Sequence, residues 1–311
     1  MIKIFKRKFR TLYNLMFNKY IGQIYMLHRV CPFENGKLSC NENMKVSPEF
    51  LERFILDKID HFEFLSLDQL LDVIKKIYNP AKPFIVFTID DGYVDNYNYA
   101  YPVFKKYNIP FTIYITPGFI DRISFLWWYQ LEDLVLEFNS VQLSNGLIFN
   151  CETIIDKETS FLKIREIILD LPTTDFDNQI RTLFSYYSLN FEHYTNELML
   201  NWDQIIEMSM NPLCTIAAHS MTHRRLSELN NTELKKEISE SKQVIENKIN
   251  KNVSHFAYPF GTSFEVNDQV VDVLKHSTFH SASFSNGGAI RRQFKDLYCL
   301  TRTMLYERKP E

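Results

Sequence analysis

This sequence predicts an α/β fold, either a parallel sheet covered by helices or an α/β barrel, on three observations. Short apolar runs recur along the chain as buried strands would, each closing beside polar or turn residues. Helical patterns fill the intervals between them, which is the alternation that parallel strands require. The residues with chemistry to offer stand where the runs end, and in such folds functional groups gather at the C-terminal ends of strands.

The strand-like runs in chain order are 23–28 (QIYMLH), 84–89 (FIVFTI), 111–115 (FTIYI) and 215–218 (TIAA), with fainter patterns at 255–258 (HFAY) and 278–282 (TFHSA). After the first run, Ser47 is placed to cap a helix whose first residue is Pro48 and which continues through 51–59. Residues 227–250 set Leu234, Ile238, Val244, Ile245 and Ile249 among charges, as an exposed amphipathic helix would. Residues 121–201 break the rhythm. They open with Phe125-Leu126-Trp127-Trp128-Tyr129, turn around Ser144-Asn145-Gly146 as a hairpin would, and carry helical patterns at 161–169 and 176–187. The expected organisation is a basic amphipathic segment at 1–20 and one domain at 21–311, interrupted by a largely helical insertion at about 121–201 that forms a lid or one wall of a cleft.

With 311 residues, 45% hydrophobic and 15% aromatic, the chain can fill a large core. A net charge of -3 argues against a nucleic-acid binder, whose affinity rests on neutralising phosphates. Five scattered cysteines with no Cys-x-x-Cys pair fit a reducing compartment rather than a disulfide framework. Charges interrupt the apolar residues of 1–20 too early for a signal-peptide core. No run approaches the ~18 apolar residues of a spanning helix, and a cytoplasmic location is expected. The acid-free stretch 1–20 reads first as a helix packed on its own domain, and second as a peripheral contact with the anionic inner membrane surface.

Two short segments carry the chemistry. Thr88-Ile89-Asp90-Asp91-Gly92 puts adjacent carboxylates at the end of a strand, and His219-Ser220-Met221-Thr222-His223 puts two imidazoles within reach of one ion. A carboxylate with two histidines leaves a divalent metal open positions for water and substrate, and the second carboxylate is then free to act as a base. Taken alone, Asp-Asp-Gly is better read as a helix cap with a turn glycine, and the histidines as readily as solvated side chains; their joint occurrence at strand ends favours the metal. A third segment, Phe256-Ala257-Tyr258-Pro259-Phe260-Gly261-Thr262, is a turn able to present a backbone N–H to an oxyanion.

In this order, Thr-x-Asp-Asp-Gly, His-Ser-x-x-His and Tyr-Pro-Phe-Gly, the chain resembles the polysaccharide deacetylases (NodB homology, carbohydrate esterase family 4), over about 24–301 with the insertion set aside. The resemblance implies a distorted (β/α) barrel that removes acetyl groups from sugars with a divalent metal, most often zinc. It places the metal ligands on Asp91, His219 and His223, the base on Asp90 and the oxyanion donor on the N–H of Phe260, where the family usually has tyrosine. Tyr258, Trp127 and Trp128 are the expected substrate contacts, and the tryptophans read equally well as the insertion's own core.

Two departures from the family pattern stand out. The arginine that orients the base in many members is replaced by Ala257, and Arg302, from the last strand, is the expected substitute; its alternative is a surface charge at a strand end. The usual C-terminal Leu-x-His acid is absent, and His28, in Tyr25-Met26-Leu27-His28-Arg29, resembles the early histidine of deacetylases whose barrel begins at a different strand. Asp95 reads as a helix start. The expected substrate is an N-acetylated nucleotide- or lipid-linked saccharide of surface polysaccharide or lipopolysaccharide assembly. A sugar O-acetyl esterase, a deformylase and a catalytically inactive carbohydrate-binding barrel remain as alternatives.

Overall fold

The computed structural model describes residues 21–262, 265–291 and 293–307, and the basic segment 1–20 lies outside them. Its main sheet is built from β1 (Gly22–Leu27), β4 (Glu63–Phe64), β5 (Phe84–Ile89), β6 (Phe111–Ile115), β9 (Cys214–Ala218), β10 (His255–Ala257), β11 (Ser281–Ser283) and β12 (Thr303–Met304). All pair in parallel, in the order β11-β10-β9-β6-β5-β1-β12, with β4 added to the start of β5. Two short pairs lie outside this sheet: β2 (Arg29–Val30) with β3 (Lys45–Val46), and β7 (Ser140–Gln142) with β8 (Ile148–Asn150).

The last strand region curls the sheet into a distorted (β/α) barrel. Thr303 and Met304 pair with Tyr25 and Met26 of β1, while Leu300, just upstream, bridges to Ser283 of β11. Side chains alternate across a strand, and the two faces separate accordingly. Ile85, Phe87, Ile89, Ile113, Ile115, Ile216 and Phe256 belong to a core shared with the outer helices. Ile24, Val86, Tyr114, Ala217 and Ala257 belong to another, into which helix Leu67–Ile74 inserts Leu67, Leu70 and Leu71. Each valine, leucine, isoleucine and phenylalanine among them contributes roughly 1.5–3 kcal/mol through burial. Followed toward the strand ends, the inner series turns polar: Ile24, Met26, His28; Val86, Thr88, Asp90; Ala217, His219.

Local chemistry sets the helices. Ser47 accepts a bond from the Phe50 amide with Pro48 in the first turn, starting helix Pro48–Leu56, which stops short of the predicted 59. Asn230 and Glu233 form a capping box at the start of Asn231–Ile249. The faint strand expected at 278–282 begins later, at Ser281, and the Phe279 ring before it packs 5.3 Å from that of Phe256.

Residues 121–201 contain helices Trp127–Glu137, Ile154–Leu169, Phe176–Leu183 and Glu192–Leu198 and the β7–β8 hairpin, turning at Gly146. Most of their apolar side chains, including Trp127, Leu131, Val141, Phe161, Ile164 and Ile180, pack together in a cluster of their own. Among the described residues, no helix is long and apolar enough to cross a membrane.

Candidate active site

The polar ends of the inner series meet at one rim of the barrel. Asp90 and Asp91 follow β5, His219 follows β9, Tyr258 follows β10 and His28 follows β1. Together with Trp127, Trp128 and Phe260 they line a cleft of about 490 Å³. Helix Ile154–Leu169 adds Phe161, Leu162 and Arg165 to its wall.

Oδ1 of Asp91 lies 3.4 Å from Nε2 of His219 and 3.3 Å from Nε2 of His223, and the three donor atoms stand within 4.8 Å of one another. Nδ1 of His219 is 2.8 Å from the Ala257 carbonyl, which can only accept. That bond puts the ring's proton on Nδ1 and leaves Nε2 with its lone pair toward the carboxylate. Asp91 Oδ1 is buried and has no hydrogen-bond partner. A lone pair facing a buried carboxylate oxygen repels it unless a proton or a metal ion lies between them, and against the effect of burial the Asp91 carboxylate pushes the His219 pKa up. The donor set of one oxygen and two imidazole nitrogens therefore fits a divalent ion of the zinc type.

The backbone bends to make this convergence. Asp91 at φ +74°, Ser220 at +59°, His223 at +56° and Phe260 at +59° all hold left-handed conformations, which for non-glycine residues cost on the order of 1–3 kcal/mol each and concentrate at functional sites. Gly92 continues the first turn at φ +85°, and at Gly261 an added Cβ would stand 2.8 Å from the Ser285 amide nitrogen.

Asp90 occupies a different environment from its neighbour. Arg302 forks onto it, with Nη1 to Oδ1 at 2.6 Å and Nη2 to Oδ2 at 2.8 Å. Arg302 also donates to the Phe284 carbonyl and Thr88 Oγ1, and lies over the Tyr114 ring. It is 0% exposed, so the surface-charge reading of this residue is excluded. Burial pushes the Asp90 carboxyl up, but the Arg302 guanidinium and the neighbouring histidines more than reverse this and hold it below the usual carboxylate range.

Asp95 corrects the sequence reading. Its side chain caps no helix; it accepts from Arg29 Nε and the Val30 amide, both at 2.8 Å, while Asn96 donates to the His28 carbonyl at 3.0 Å. Both residues fix the loop that carries His28. A sequence cannot show this, because the partners meet only when β1 and β5 pair. Glu237 was likewise unforeseen. Buried on helix Asn231–Ile249, it accepts from the Met221 and Thr222 amides at 2.9 Å and from Thr222 Oγ1 at 2.5 Å, holding the loop between the two histidines.

The three expected substrate contacts divide. Trp127 is buried in the insertion's cluster with one edge at the cleft. Trp128 is half-buried, donates from its indole to the Tyr93 hydroxyl and stands 5.7 Å from the His223 ring. Tyr258 is 1% exposed and gives its hydroxyl to the Tyr298 carbonyl, so it offers the cleft little beyond a ring edge. The Phe260 ring lies 4.8 Å from that of His223.

Fold and rim together define a (β/α) barrel with a candidate metal centre. The chain belongs to the polysaccharide deacetylase family: the family model of that description matches residues 78–142 and 170–282, more than half of the chain. Members of this family are hydrolases acting on N-acetyl amide bonds. His28, Arg302 and helix Ile154–Leu169 lie outside the matched ranges.

YxkH of Bacillus subtilis (strain 168), whose name assigns it provisionally to the polysaccharide deacetylases, is 35% identical over 63 residues. That match spans 20% of this chain and 23% of YxkH. Among solved structures, the Streptococcus pyogenes deacetylase PplD, in complex with acetate, superposes with a TM-score of 0.62 at 18% identity, covering 93% of both chains. IcaB from Ammonifex degensii gives 0.58 at 15%, also over 93% of both. The de-N-acetylase from Aggregatibacter actinomycetemcomitans gives 0.55 at 16%, over 91% of this chain and 94% of its own. At these identities the likeness is one of fold.

Proposed function

We propose that this protein is a metal-dependent deacetylase that removes an N-acetyl group from a sugar. The observation that supports it most is the contrast between two adjacent carboxylates: Asp91 faces two imidazoles, and Asp90 is clamped by a buried arginine. Asp91, His219 and His223 would hold a divalent ion, most suitably zinc, which when bound supplies Lewis acidity toward water and the acetyl carbonyl.

The chain's own residues divide the remaining work. Asp90 accepts the proton of the attacking water; both its oxygens are bonded to Arg302, but an ionised carboxylate has about four acceptor sites and keeps room for one more donor. Arg302 keeps that carboxyl ionised and oriented. The N–H of Phe260, in its left-handed turn, donates to the oxyanion as the carbonyl carbon becomes tetrahedral. His28 donates a proton to the departing sugar amine, and its unpartnered buried Nδ1 is consistent with a group awaiting substrate. Acetate and the free amine result. Trp128, half-buried on the cleft wall, offers an aromatic surface to the sugar ring, and Trp127 adds no more than its edge.

The substrate we favour is a nucleotide- or lipid-linked saccharide acted on inside the cell, during surface polysaccharide or lipopolysaccharide assembly. The test is acetate release, followed by mass spectrometry, from a panel of N-acetylated nucleotide sugars and lipid-linked saccharides. Activity that survives Asp90→Asn would remove the proposed base. Near-normal turnover by His28→Gln, with metal still bound, would remove the proposed acid.

A further inference from the structure

One cation on the cleft wall has no part in this chemistry. Arg165 is the only lysine or arginine lining the cleft among the described residues. It projects from helix Ile154–Leu169, in the stretch that the family model does not match. Its guanidinium lies 5.6 Å from the centre of the Phe260 ring, and that ring lies 4.8 Å from His223. Arg165 and the candidate ligand His223 thus pack against the same Phe260 ring. Its ion-pair partner is the sequence neighbour Glu166, at 2.5 Å, whose own side chain is 58% exposed. Such a pair in solvent is worth little and is readily exchanged. Phe161 and Leu162, from the same helix, make the surrounding wall apolar.

A guanidinium stacked on an aromatic face, with an exchangeable partner in an apolar cleft, is suited to bidentate recognition of a phosphate. We propose that Arg165 is a specificity residue that reads a phosphate carried by the saccharide next to its acetylated ring. This inference rests on the deacetylase reading above and narrows its substrate to sugar phosphates, whether nucleotide- or lipid-linked. The cation–π contact with Phe260 holds the guanidinium at the cleft mouth, and the phosphate displaces Glu166 from it.

The experiment compares metal-loaded wild type, Arg165→Gln and Arg165→Lys on two matched probes, N-acetylglucosamine 1-phosphate and its uncharged methyl glycoside. Acetate release gives kcat and KM, and calorimetry gives binding of each probe whether or not it turns over. Arg165→Gln should raise KM and Kd for the phosphate probe about tenfold and leave kcat and both constants for the methyl glycoside unchanged. Arg165→Lys should recover part of the loss. A change of equal size on both probes, or none on either, overturns the proposal. Absence of acetate release from wild type on every substrate would count against the deacetylase reading instead, and the binding comparison would still decide the role of Arg165. A UDP-linked probe and a vesicle-embedded polyprenyl-phosphate probe then separate the two sources of phosphate, the favoured one showing the larger Arg165→Gln effect.

Discussion

Arg302 and Asp90 are 212 positions apart in sequence and form one buried unit. Replacing the arginine leaves a carboxylate in the interior without its counter-charge. Arg302→Gln should therefore cost about 3–5 kcal/mol in a denaturant titration. The pH response should also weaken. In wild type the folded-state pKa of Asp90 lies below its unfolded value, so the pair's contribution is present above the unfolded carboxylate range and lost as pH falls through the folded value. Without Arg302, burial loses its main opponent and the folded pKa rises. The variant should then lose less stability on acidification than wild type does. Asp177 offers an internal contrast: burial pushes its carboxyl up to about 6, despite Arg224 and Arg181 nearby. It weakens the fold as pH rises from the unfolded value of about 3.9 toward 6. Asp177→Asn should melt higher than wild type at neutral pH and no higher below pH ~4, a comparison that thermal denaturation makes directly.

At the scale of elements, the two histidines depend on helix Asn231–Ile249, which holds the loop between them. Glu237 anchors the loop between them through two backbone amides and one hydroxyl. Glu237→Ala should lower metal affinity about 10–100-fold, as loss of supporting contacts around a ligand does, while circular dichroism stays native; unchanged affinity in a chelator competition would assign the loop's order elsewhere. This residue marks the limit of sequence reading. Asp90, Asp91, His219 and His223 were legible because motif spacing and a position at a strand end are local properties, visible in fewer than ten residues. Glu237 falls in the charge pattern of an amphipathic helix, where a carboxylate that turns inward looks like those left in solvent. Asp95 misled for a related reason. A carboxylate shortly after a strand suits a helix cap, and only the pairing of β1 with β5 brings Arg29 close enough to claim it. Arg302 could be named as a candidate from its place in the last strand, but not ranked, since nothing local sets it opposite Asp90.

For the whole molecule, the alternation of side chains along parallel strands accounts for both stability and site. The inner series is apolar where helix Leu67–Ile74 meets it and ionisable at the opposite rim, so one barrel holds a core and a reaction centre without competition between them. The longer strands were legible as apolar runs, while the two-residue β4 and β12 and the closure were not: a single segment, Leu300 to Met304, joins the edges through a few pairs. The central claim is that Asp91, His219 and His223 bind one divalent ion on which deacetylation depends. Its most direct test is paired metal analysis and acetate release on the same samples: wild type as purified, after exhaustive chelation, after zinc is restored, and Asp91→Ala treated alike. We predict one bound ion per chain with acetate release, loss of both on chelation, return of both with zinc, and neither in Asp91→Ala. Undiminished acetate release from the fully chelated protein would contradict the claim.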